Sequence, residues 1–441
     1  MKSLDAKLAQ FRTQPGSRSF IIADAKDADM AFGVRAPGPR GYLSSRGERP
    51  AKFSPEVWSR DEFGYRNLPE FLDIIREVVS QGLVDIMLMS AYVSEQLTIK
   101  EGLFRSSHVT PAARANDTTD VWAVRHGCYT KEPAQTFRSA SIDQIQCGRV
   151  ECDRGGAEFP GANLGLYSVT FVNELAQDRE TLRAFKEFRE EAERKAFRYF
   201  LEVFDPNVSS GVPAEKLGEF INDTILRTLA GVPEAGRPVF LKIAYHGARA
   251  MEELAQYDPN LVVGILGGSA GTTYDAFRLI HDAQKHGARV ALFGRKINNA
   301  EHQLGFIEML RLVTDGRVSP EEAVRAYHGI LQSKGIKPNR PLEQDLVLTD
   351  QSMSYGGEAA RRVVEVRNNP LAGVATSRAG AVGGAQQASG SGAARNHTEK
   401  LAAVGGVERW PVLGDGKPDF GHMTSAQRLA YDADRLTRRY G

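Results

Sequence analysis

The sequence is short of cysteine, of long apolar runs and of net charge. Three cysteines in 441 residues cannot build a disulfide framework. No apolar run approaches the roughly 20 residues that span a bilayer. The formal net charge is +1, which gives no electrostatic footprint for nucleic acid or a membrane surface. The first residues, "MKSLDAKLAQFRTQ", lack the apolar stretch of a secretory signal, so the expected location is cytoplasmic. What remains is 41% hydrophobic and 25% charged, an ordinary globular balance.

Short apolar runs alternate with helical patterns, the rhythm of βα units around a parallel sheet. The expected strands cover residues 19–25, 84–90, 120–126, 166–172, 199–205, 239–245, 261–267 and 289–295. Eight of them predict a closed (β/α)8 barrel. Between the later strands the helices are explicit. Leu182, Phe185, Phe188 and Ala192 share one face, as do Leu217, Phe220, Ile221 and Ile225. Tyr274, Phe277 and Ile280 share another, with Gly287 as the stop. Ser319, Pro320 and Glu322 form a capping box. Residues 34–66 and 127–162, rich in polar residues and glycine, read as long loops.

The barrel is expected to occupy residues 1–340 and a C-terminal extension residues 341–441, with a Gly/Ala/Ser-rich linker at 371–396. The linker is expected to be mobile. Residues 421–440 would dock separately, over the barrel mouth or on a sister subunit of a homo-oligomer.

Two charges interrupt apolar strands. In "VFLKIAY", Lys242 sits among Val239, Phe240, Leu241 and Ile243; in "YFLEVFD", Glu202 does the same. Side chains alternate along a strand and neighbouring strands lie about 4.8 Å apart, so the two can face each other inside a barrel. A lysine there either snorkels to water or serves as an amine nucleophile toward a carbonyl. Glu202 is either its structural partner or its proton shuttle. Asp24, near the end of the first strand, is a third acidic candidate, or else a cap.

Two glycine-rich turns follow the last two strands: Gly267, Gly268, Ser269, Ala270 and Gly271, then Gly294 with Arg295. Such turns let backbone N–H groups approach an anion, and barrel enzymes often bind phosphate after strands 7 and 8. His126, Cys128, Cys147 and Cys152 give H-x-C and C-x4-C, but not the C-x2-C of structural zinc sites. They read as ordinary reduced cysteines, with no metal.

"LKIAYHG", "ILGGSAGTTYDAF" and "LFGRKINNA", in this order and spacing, resemble the strand 6, 7 and 8 motifs of class I Schiff-base aldolases. The branches resembled are the archaeal-type fructose-bisphosphate and the tagatose-bisphosphate aldolases, and the likeness is good over residues 165–335. It implies Lys242 as the imine-forming lysine, Glu202 as an assisting strand 5 glutamate, and Asp24 as the strand 1 aspartate. It also implies a sugar phosphate held by Gly267, Gly268, Ser269, Gly294 and Arg295. Glu202, aided by Asp24 or Tyr245, would move protons during C–C cleavage or formation. No cofactor is expected, because an iminium supplies the electron sink that a metal would otherwise provide. The sequence departs from the tagatose branch on strand 4, where Ser168 or Tyr167 stands in place of a lysine, and from both branches on strand 1, where "ADAKDAD" lacks their glycine. The alternative is a sugar-phosphate-binding or regulatory barrel without turnover.

Overall fold

A computed structural model of the 441-residue chain describes residues 1–14, 16–39, 64–153, 159–268 and 271–349, with a few positions between 411 and 431. The chain divides into two units, Met1–Val363 and Val364–Gly441. Ser269, the 371–396 linker and most of 421–440 lie outside the described residues.

The first unit is a closed, all-parallel barrel of eight strands. In chain order they are β1 (Ile21–Lys26), β2 (Ile86–Met89), β3 (Thr110–Arg114), β4 (Leu164–Thr170), β5 (Arg198–Phe204), β6 (Leu241–Ile243), β7 (Val263–Leu266) and β8 (Val290–Phe293). Each pairs with the next, and β8 closes on β1 through Ile21 opposite Val290. Alternation sorts the side chains into two layers. Ile21, Ala23, Leu88, Leu166, Phe200 and Leu292 fill the barrel interior, and Leu4 of the first helix (Ser3–Thr13) joins this inner cluster. Ile22, Met87, Tyr167, Leu201, Ile243 and Ile265 face outward to the helices.

The helices form where periodicity and caps predict them. Helix Leu175–Arg194 buries Phe185, Phe188 and Ala192, and Leu217–Ala230 buries Ile221 and Ile225. Helix Thr273–Lys285 opens on a capping box between Thr272 and Asp275, and Pro320–Ser333 on one between Ser319 and Glu322. A short helix, Leu342–Asp345, continues the first unit past residue 340. Its Asp345 carboxylate accepts the Thr273 amide at 2.7 Å.

The third strand corrects the expectation. It is "TPAAR" at 110–114 rather than 120–126. Residues Thr119–Val121 make a 3-10 turn, the Asp120 carboxylate accepts the Thr170 hydroxyl, and Trp122 emerges to stack on Tyr129. A second correction concerns Cys147 and Cys152, which are joined in a disulfide; Cys128 is free and exposed. The left-handed Gly148 turns the chain after helix Ile142–Cys147 and brings the two cysteines together. Among the described residues no helix is long and apolar enough to cross a membrane, and no cluster of metal-ligating side chains occurs.

Candidate active site

β6 turns Leu241 and Ile243 toward the helices and Lys242 into the barrel. The register sets Ser168, Glu202 and Lys242 abreast on β4, β5 and β6. The Lys242 ammonium is in ion-pair contact with the Glu202 carboxylate, and both side chains are buried. The Ser168 hydroxyl donates to Glu202 Oε2 at 2.9 Å. On the far side of Lys242 the register brings Gly264 of β7. A Cβ there would lie 2.6 Å from the Leu241 carbonyl and 2.7 Å from Val290 Cβ, so only glycine fits beside this lysine.

The cavity above this pair is lined by Asp27 and Arg114 and by Gly267, Gly268, Gly294 and Arg295. Val121, Phe204, Leu266, Leu292 and Phe32 supply the apolar lining. Arg295 opens the short helix Arg295–Asn298, with its guanidinium 5.8 Å from the centre of the Phe32 ring. Next to it, Lys296 Nζ donates to the Gly271 carbonyl at 2.9 Å, tying the turn after β8 to the turn after β7. Burial pulls the Lys296 ammonium down to about 8. Gly267 is required by packing: a Cβ would lie 2.0 Å from Phe293 Cδ1.

Lys242, Glu202, Gly267, Gly268, Gly294 and Arg295 are therefore brought to one cavity. Asp24 is not. Ile21, Ala23 and Ala25 belong to the inner cluster and Ile22 to the outer one, so alternation places Asp24 and Lys26 on the outer face of β1. There they pair at 2.9 Å, fully buried. Burial pushes the Asp24 carboxyl up and the Lys26 ammonium down, and their mutual attraction opposes both effects. The strand 1 carboxylate that lines the cavity is Asp27, one step beyond β1. Tyr245 also lies in the outer cluster, where burial pushes its hydroxyl up to about 12.

Sequence reasoning missed Arg114 altogether, because its strand was misplaced. The guanidinium donates to Asp27 at 2.8 Å and to Ser168 Oγ at 3.3 Å. Burial works against its charge, but Asp27, Glu202 and Asp117 outweigh that penalty and hold it protonated. Along the cavity floor, positive and negative groups alternate: Lys242, Glu202, Arg114, Asp27. Each buried charge has an opposite neighbour, which is the condition for keeping charges in a barrel interior.

No protein-family model and no curated protein matches this sequence. Solved structures similar to the chain include an archaeal fructose 1,6-bisphosphate aldolase, at 13% identity and TM-score 0.47, covering 70% of this chain and 99% of that one. Another is a Schiff-base-forming fructose-1,6-bisphosphate aldolase, at 15% identity and TM-score 0.45, with 70% and 99% covered. A third is a fructose-bisphosphate aldolase from Slackia heliotrinireducens, at 11% identity and TM-score 0.49, with 80% and 95% covered.

Proposed function

We propose that this protein is a Schiff-base carbon–carbon lyase acting on a phosphorylated ketose. The observation that carries the reading is an amine, Lys242, in contact with a carboxylate, Glu202, in a cavity also lined by Gly267, Gly268, Gly294 and Arg295. Lysine must lose its proton to act as a nucleophile, and Glu202 is placed to take it. The amine then adds to the substrate ketone, and Glu202 passes its proton to the carbinolamine hydroxyl, which leaves as water to give an iminium and returns Glu202 to its carboxylate form. Glu202 accepts the proton of a substrate hydroxyl, the adjacent C–C bond breaks, and its electron pair passes to the iminium as an enamine. An aldehyde leaves. Protonation of the enamine and hydrolysis return Lys242 and release the second carbonyl product. The reverse sequence forms the bond.

The turns after β7 and β8 would hold the phosphate, with backbone N–H groups, Arg295 and Lys296 supplying positive potential. Asp27, just after β1, would receive a substrate hydroxyl.

Arg295→Ala separates the anion role from the amine role. Affinity for dihydroxyacetone phosphate should fall by about 10-fold or more, the worth of a charge-assisted hydrogen bond. Affinity for unphosphorylated dihydroxyacetone should stay unchanged. Equal loss for both ligands would reject the phosphate assignment.

A further inference from the structure

Arg114 has no part in the scheme above, yet its guanidinium reaches polar groups from three parts of the barrel. Its Nε donates to the Asn116 carbonyl at 3.1 Å, Nη1 to Asp27 at 2.8 Å, and Nη2 to Ser168 Oγ at 3.3 Å. Asp117 lies 3.6 Å from Nε. One guanidinium thus joins β3, the end of β1 and β4.

The bond to Ser168 has a consequence for Glu202. A guanidinium has donors only, so the serine oxygen must accept from it. The hydroxyl proton is then directed away from Arg114, and Glu202 Oε2 stands 2.9 Å from Oγ to receive it. Asn116 holds the serine in place: its side-chain oxygen accepts the Ser168 amide at 2.6 Å and its nitrogen donates to the Ser168 carbonyl at 2.8 Å. One oxygen of Glu202 is therefore engaged by serine, and the other, Oε1, faces Lys242.

We propose that Arg114 is a positioning residue that acts through Ser168 to orient Glu202, leaving Oε1 as the oxygen that exchanges protons with Lys242 and the substrate. This role rests on the lyase reading and deepens it. The same guanidinium grips Asp27, so both carboxylates of the cavity are referred to one rigid group. A lysine at this position is a point charge on a flexible stem and cannot serve both partners with fixed geometry.

The test is the rate at which dihydroxyacetone phosphate becomes trapped by borohydride in a single turnover, in wild type, Ser168→Ala, Arg114→Lys and the double variant. Each single substitution should slow trapping by about 10-fold to 100-fold, the usual effect of a misoriented catalytic group. Equilibrium binding of the phosphorylated ligand by Ser168→Ala should be unchanged. The double variant should be no slower than Arg114→Lys, because both changes break one chain of contacts. Independent, multiplying effects, or Ser168→Ala at the wild-type rate, would overturn the positioning role and leave the lyase reading intact. Wild-type protein that traps nothing would overturn that reading and the positioning role with it. If Arg114→Lys does not fold, Ser168→Ala decides alone.

Discussion

Lys242 and Glu202 are tolerable inside the barrel only as a contact pair, and this gives a stability prediction as well as a chemical one. Glu202→Ala strands an ammonium among apolar side chains and should lower the unfolding free energy by roughly 3–5 kcal/mol, read by urea denaturation. Changing both residues to methionine should recover most of that loss, since an apolar pair of similar volume needs no partner. Glu202→Gln keeps the shape but cannot take a proton. It should slow the reaction by about 10²–10⁴-fold, as loss of a general base does. These two residues were legible because a charge within an apolar strand is conspicuous whatever the exact register. Asp24 was misread for the opposite reason. Moving the reference point on a strand by one residue exchanges its two faces, and "ADAKDAD" offers a carboxylate for either choice. Counting inward from Ile21 would have selected Asp27.

At the scale of elements, the turns after β7 and β8 act together because Lys296 bridges them through the Gly271 carbonyl. Its ammonium titrates at about 8, pulled down by burial. Below that pH it is charged and adds to the pull on an anion; above it the charge is lost. Affinity for a phosphate monoester should therefore fall as pH rises from 7 to 9.5, a range in which the phosphate itself stays dianionic. Lys296→Gln should bind weakly and without this slope, as titration calorimetry at several pH values would show. The glycine turns and capped helices were legible because backbone freedom and caps are local properties. β3 was not. Pro111 and two alanines carry no strand propensity, and their place in the sheet is imposed by the neighbouring strands, where Pro111 pairs with Met87 and Ala113 with Met89 and Gly165. Arg114 was lost with it.

For the whole molecule, the barrel was legible because seven of the eight expected apolar runs are strands at the spacing of βα units, and closure leaves no sheet edge to protect. The first unit carries its own inner and outer clusters, so a chain ending at residue 363 should fold cooperatively. A chain ending at residue 340 removes Asp345 from the Thr273 amide and Thr349 from Asp275. It should lose at least ~1–2 kcal/mol in denaturant titration, the usual cost of a helix cap. The proposed lyase reaction requires an imine on Lys242. Incubation with dihydroxyacetone phosphate and borohydride, followed by peptide mass spectrometry, tests it most directly. One stable adduct is expected, on the peptide containing Lys242, and none in Lys242→Met. No adduct, or an adduct on another lysine, would contradict it and leave a barrel that binds a sugar phosphate without turning it over.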